Sequence, residues 1–177
     1  MRSSRPVLGA LAVLALAGAS LPATAETHLE LQGGRSYMNS YGTNAFFAEA
    51  VFTPQSMGQS RFTWSPDISI GYIKGREIGR YRNADPGVTD NLWLGAAGAR
   101  FHYGSAGDWY QPFFFSFQVA GVAGGRTQAL SSGYEFVSTI GWQYKNVSLQ
   151  VRHISNGSFK EPNRGETMAL VGIGFDI

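Results

Sequence analysis

An all-β fold, an eight-stranded antiparallel barrel that spans a membrane, is predicted by three features of the sequence. An export signal opens the chain. Period-two alternation of apolar with small or polar residues dominates the remainder. Tight and long connections also alternate along the chain, as they do when one end of a barrel faces the periplasm and the other the outside.

The export signal is read over residues 1–25. Arg2 and Arg5 give a positive start, an apolar stretch runs from Pro6 to about Leu21, and Ala23-Thr24-Ala25 supplies small residues for cleavage. Removal would leave residues 26–177 as one barrel domain beginning at Glu26. It would also remove two Arg and no acid, so that the remainder carries 12 Lys+Arg against 12 Asp+Glu. The basic isoelectric point of about 9.0 then belongs largely to the signal and gives no reason to expect nucleic-acid binding. Cysteine is absent, which excludes a disulfide framework and thiolate chemistry. After Ala25 no stretch stays apolar for 18 residues, so no further helix is expected to cross a bilayer.

The strands are read near residues 27–36, 44–53, 61–74, 91–103, 110–122, 134–144, 147–155 and 166–177. Phe113, Phe115, Phe117 and Val119 alternate with Phe114, Ser116, Gln118 and Ala120. Val171, Ile173, Phe175 and Ile177 alternate with Leu170, Gly172, Gly174 and Asp176. Similar rows recur at Val147, Leu149 and Val151, and at Phe46, Ala48 and Ala50. Thr53–Ser60, Gly104–Trp109 and Lys145-Asn146 read as tight connections; Lys74–Asp90, Ala123–Gly133 and Asn156–Gly165 read as long ones. The first connection, Tyr37–Thr43, is short and rich in Gly, Ser and Asn. A soluble sandwich or barrel would show the same alternation with its faces exchanged. Against it stand a polar face that is mostly small and neutral, and aromatics gathered towards strand ends (Trp64, Tyr72, Trp93, Tyr103, Trp109, Tyr110, Trp142, Tyr144) like interfacial girdles. Glu49, Arg100 and Arg152 fall on inward positions and are expected to fill a narrow lumen as a polar network.

Chemistry is sought in Arg152–Thr167. His153 and Ser155 lie two apart on a strand, on one face and about 6–7 Å apart. That face continues the lipid-facing row of Leu149 and Val151. Two polar residues at a strand end, near the membrane interface, are one explanation. A serine nucleophile activated by a neighbouring histidine base is the other. With eight strands and periplasmic termini, the pair would sit on the exterior at the outer leaflet, where lipopolysaccharide resides. A lipid-facing catalytic pair makes sense for a lipid substrate.

At these residues the sequence resembles the PagL-type lipid A deacylases, outer-membrane barrels that hydrolyse the ester-linked acyl chain at the 3 position of lipid A. The ordered pattern is His153, Ser155-Asn156, Lys160, Pro162-Asn163 and Gly165. The resemblance is close over the last 25 residues and loose over the rest. It implies Ser155 as nucleophile, His153 as general base and an acid at the start of the last strand that orients His153. Asn156 and the backbone N–H groups of the Asn156-Gly157 turn are candidates to stabilise the oxyanion. No metal and no cofactor are implied; the partners are the lipid A substrate and the outer membrane.

The acid is where this sequence departs. The family places it two positions after the Gly, where Thr167 stands here, with Glu166 adjacent. Counting along the strand sets Thr167 on the lipid face and Glu166 inside, unless a bulge re-aims it. Glu166 is the acid expected on that condition, and Glu161 is a weaker substitute.

Two other functions compete: a non-enzymatic barrel serving adhesion or envelope stability, and a lipid A acyltransferase. Oligomeric state is left open. The sequons at Asn146 and Asn156 and the Gly124-Gly125-Arg126-Thr127 stretch lack the context that would give them meaning. His28 and His102 read as ordinary strand residues, and Asp85, Asp90 and Asn91 as a solvated loop rather than a cation site.

Overall fold

A computed structural model describes residues 26–177; the expected export signal lies outside them. Among the described residues nine strands occur in order: β1 (His28–Met38), β2 (Tyr41–Val51), the two-residue β3 (Gln55–Ser56), β4 (Phe62–Ile73), β5 (Leu92–Tyr103), β6 (Phe113–Ala123), β7 (Tyr134–Tyr144), β8 (Val147–Ser155) and β9 (Glu166–Asp176). Among the described residues the only helical piece is a 3-10 turn at Gly79–Tyr81.

The eight long strands pair antiparallel with their neighbours, β2 pairs with β4, and β1 pairs with β9. The sheet therefore closes on itself and leaves no long edge unpaired. At the closing seam His28 Nδ1 lies 2.6 Å from Asp176 Oδ1, tying β1 to β9 across their paired ends.

The alternation in the sequence becomes the two faces of this wall. Leu31, Ile140 and Ile173 are exposed by 65%, 65% and 67%, values that in water would oppose folding and in lipid are the favourable arrangement. The outward faces of β6 (Phe113, Phe115, Phe117, Val119) and β8 (Val147, Leu149, Val151) are likewise exposed. Aromatic pairs mark both ends of the belt: Tyr72 with Trp93 at one end, and Phe62 with Tyr103 and Trp142 with Tyr144 at the other.

Inside, the lower half of the lumen is ionic. Glu49 accepts hydrogen bonds from Arg152 (2.6 Å), Arg100 (3.0 Å) and Gln32 (2.5 Å). The two guanidinium groups also lie over the rings of Phe47 and Phe114. Glu30 accepts from Ser148 and Gln150, and Asp67 from Ser116. This is the network expected from Glu49, Arg100 and Arg152.

The upper half of the lumen is different. The β4–β5, β6–β7 and β8–β9 loops fold over that mouth and are stitched together by backbone bonds from Gln128 to Gly87 and from Arg164 and Gly165 to Gln128 and Ala129. Ile78, Tyr81, Val88 and Leu130 from these loops join Met38, Ile73, Leu92, Ile154, Met168 and Leu170 from the wall in one buried apolar cluster. These are the long loops, so this end is read as the outer one. The loop expected to be solvated around Asp90 is partly tied down, since Asn91 Oδ1 accepts the Gly75 N–H.

Strand limits differ from expectation in three places. The β1–β2 connection shrinks to Asn39-Ser40, because Tyr37 and Met38 pair with Gly42 and Tyr41 while Asn39 takes a left-handed turn at φ 54. The Thr53–Ser60 connection contains β3, which pairs with the start of β4. Strand β6 begins at Phe113 because residues 108–113 form successive turns, Gln111 N–H to Asp108 and Phe113 N–H to Tyr110.

Candidate active site on the outer face of β8 and β9

Strand β8 presents Val147, Leu149, Val151, His153 and Ser155 outward in one row, and β9 presents Thr167, Ala169 and Val171 beside it. The two strands stay in register to their upper ends, with Val151 opposite Ala169, His153 opposite Thr167 and Ile154 opposite Glu166. No bulge interrupts that pairing. Thr167 therefore shares the outer face with His153, and Glu166 points into the barrel.

His153 Nδ1 lies 2.9 Å from Thr167 Oγ1. For the other ring nitrogen, Nε2, to act as a base it must be unprotonated, which requires the proton on Nδ1 and makes the threonine oxygen the acceptor. Gly165 backs the opposite edge of the ring. It sits at φ +67, and a Cβ there would meet His153 Cε1 at 2.9 Å and Nε2 at 3.4 Å. Continuing the β8–β9 register by one pair sets Gly165 across from Ser155. The Cε1–Nε2 edge of the ring is thus turned towards Gly165.

Ser155 is half-buried and faces Phe136 across the β7–β8 pairing. Phe136 stacks on Phe117 with 6.0 Å between centroids and meets Phe159 edge-on at 6.3 Å. Phe159 is 75% exposed, so an apolar wall stands beside the serine on the lipid side. Phe136 was not among the residues expected at the site. The β7–β8 hairpin is joined by Lys145-Asn146 alone, and counting outward from that turn places Phe136 against Ser155 from the sequence.

Asn156 lies fully buried just above. Its side-chain amide donates to the Lys160 carbonyl at 2.9 Å, and its own N–H reaches Asn163 Oδ1 at 3.4 Å. Its amide nitrogen is thereby committed to shaping the loop, while its Oδ1 is buried without a partner. Gly157 comes next at φ +67 and Ser158 at φ 62, a left-handed pair that turns the chain directly after Ser155, and the Gly157 N–H takes no part in those bonds.

The two candidate acids stand elsewhere. Glu166 is 2% exposed and is gripped by both terminal nitrogens of Arg76, at 2.8 and 2.9 Å, with the Ser36 hydroxyl as a further donor. Arg76 belongs to the β4–β5 loop, and nothing in the sequence around it marks it as a partner of β9. Glu161 accepts the Asn163 N–H within its own loop. The bulge on which the assignment of Glu166 beside His153 is conditional is absent, and Glu166 points inward as counting along the strand sets it. The regular pairing of β8 with β9 and the pull of Arg76 both hold that carboxylate inside. Among the described residues no cluster of three or more His, Cys, Asp or Glu is arranged to hold a metal ion.

A closed eight-stranded barrel with an apolar exterior, bearing its polar constellation on the lipid-facing wall, belongs to the class of small outer-membrane barrels. Residues 14–176 match the family model described as Lipid A 3-O-deacylase (PagL), and the chain belongs to that family. Its fold is similar to a solved structure described as "Crystal structure of the outer membrane enzyme PagL". The TM-score is 0.62 and the identity 19%, over 85% of this chain and 99% of that one. A comparison with curated proteins finds no match.

Proposed function

We propose that this protein hydrolyses the ester-linked acyl chain at the 3 position of lipid A, with Ser155 as nucleophile, His153 as general base and Thr167 as the group that orients His153. The reading is carried by the His153–Thr167 hydrogen bond of 2.9 Å on the lipid-facing wall, with Ser155 two residues on in the same outward row. Polar side chains are costly in an apolar belt. A hydrogen-bonded histidine next to a serine there has a direct explanation if the ester to be cut arrives from the lipid.

His153 Nε2 takes the proton of the Ser155 hydroxyl as the oxygen attacks the ester carbonyl. The negative charge that develops on the carbonyl oxygen is met by the Gly157 N–H, and Asn156 holds the turn that presents it. Collapse expels the sugar hydroxyl, which receives the proton from His153, and leaves the acyl chain on Ser155. Water, deprotonated by His153, then attacks the acyl-enzyme and releases the fatty acid with Ser155 restored. A threonine oxygen accepts the Nδ1–H and so fixes the tautomer. Being neutral, it stabilises the imidazolium less than a carboxylate would.

The test is mass spectrometry of lipid A after incubation with the refolded barrel, wild type against Ser155→Ala. Loss of one 3-linked hydroxyacyl chain with wild type alone is the expected result. Intact lipid A with folded wild type would favour a non-enzymatic barrel, and a newly acylated product an acyltransferase.

A further inference from the structure

One charged side chain on the lipid-facing wall takes no part in the catalytic constellation. Arg35 points outward from β1 and is exposed. Its Nη1 donates to Asn44 Oδ1 at 2.7 Å, a neutral partner, and among the described residues it pairs with no carboxylate. The side chain climbs along the wall. Its Nη2 lies 2.9 Å from where a Cβ on Gly42 would sit, and the Tyr37 ring lies beside the same point. Gly42 pairs with Tyr37, Tyr37 with Thr167, and Thr167 with His153. Along this line of paired residues the guanidinium is two to three strands from His153, or about 10–14 Å at the usual strand spacing.

Between the two lies a groove of about 580 Å³ running down the outside of β9. Arg35 and Tyr37 line one side, Leu149 and Val151 the other, and Ala169 and Val171 form the floor. The small side chain of Ala169 lets the groove begin just below the His153–Thr167 pair. It is thus a channel with largely apolar walls and an unneutralised guanidinium on its rim, and the His153–Thr167 pair is the next outward-facing pair above Val151 and Ala169.

We propose that Arg35 binds a phosphate on the headgroup of the same lipid A molecule whose acyl ester lies at Ser155, with an acyl chain of that molecule in the groove over β9. This rests on the reading of the protein as a lipid A deacylase. The complementarity is specific. Lipid A is a phosphorylated disaccharide carrying acyl chains, so it has anionic groups at sugar height and hydrocarbon below, spread over the width of two sugars. A guanidinium offers planar, paired donors to phosphate oxygens and stays charged at any working pH. Held by Asn44, it needs little reorganisation to receive them. Arg35 acts in binding and in placing the ester, whereas His153 and Ser155 do the chemistry.

The experiment measures lipid binding by the Ser155→Ala barrel in detergent micelles, so that ligand is not consumed. Bisphosphorylated lipid A is compared with the same lipid A stripped of phosphate, and each with and without Arg35→Ala; Arg35→Lys is added as the conservative variant. Arg35→Ala is expected to weaken binding of the phosphorylated lipid roughly tenfold or more and to leave the stripped lipid unchanged, with Arg35→Lys recovering part of the loss. An equal effect on both lipids, or none, overturns the proposal. A third arm uses phosphatidylglycerol: an equal Arg35-dependent loss there would assign the residue to anionic lipids in general and overturn the assignment to lipid A. Binding is read without turnover, so a wild type that fails to release fatty acid would sink the catalytic reading and leave this one standing or falling by its own result.

Discussion

The hydroxyl of Thr167 stands 2.9 Å from Nδ1 of His153, at the nitrogen that a carboxylate occupies in a Ser–His–acid arrangement. In the proposed mechanism a neutral acceptor there keeps the geometry of His153 and gives up part of its electrostatic support. Thr167→Val preserves the shape and removes the bond. A neutral hydrogen bond contributes about 0.5–1.5 kcal/mol, so kcat for fatty-acid release is expected to fall roughly two- to tenfold with KM nearly unchanged. Thr167→Glu should raise kcat above wild type. Initial rates on lipid A decide this, and an unchanged Thr167→Val would remove the residue from the mechanism.

Glu166 has a structural task on the other side of the same strand. Its carboxylate neutralises Arg76 in the upper lumen, and both side chains are almost wholly buried. Glu166→Gln leaves that guanidinium without its counter-charge, which typically costs about 3–5 kcal/mol. Thermal or urea unfolding should show the loss, while the rate per folded molecule stays near wild type. A variant of unchanged stability and no activity would instead make Glu166 the catalytic acid.

Gly165 meets two demands at once. Its left-handed backbone disfavours a side chain by about 1–2 kcal/mol, and a Cβ would press on the edge of the His153 ring. Gly165→Ala is therefore expected to lower kcat by about tenfold or more, since small misplacements of a base are expensive, with only a modest drop in melting temperature. Equal activity in the folded variant would show that the ring has room to move.

In the lower lumen Glu49 stands between Arg100 and Arg152. Glu49→Gln leaves the buried Arg152 without a carboxylate and Arg100 with only Glu30, at 3.8 Å, and a destabilisation of about 3–5 kcal/mol is expected in equilibrium unfolding. Restoration of stability by adding Arg152→Met would identify unpaired charge, rather than lost packing, as the cause.

Much of the barrel is legible along the chain. The outward rows of β6, β8 and β9 and the inward positions of Glu49, Arg100 and Arg152 follow from period two alone, because in a strand each residue's face is determined by its neighbour's. The same counting set Thr167 outside and Glu166 inside. The turn at Lys145-Asn146 also carries the pairing of Ser155 with Phe136, since a two-residue hairpin leaves one register.

Contacts between strands and loops far apart in sequence are another matter. Whether β9 bulges depends on how it meets β8 across a ten-residue loop, and local residue types do not determine that. That Arg76 would reach Glu166, 90 residues away, or that three loops would close an apolar plug over the outer mouth, depends on the barrel bringing their ends together. The sequence by itself determined the faces of the strands and the His153–Ser155 row, both products of local periodicity. Only the tertiary structure decided which partner each of those side chains met, because closure of the sheet sets distances that sequence separation does not contain.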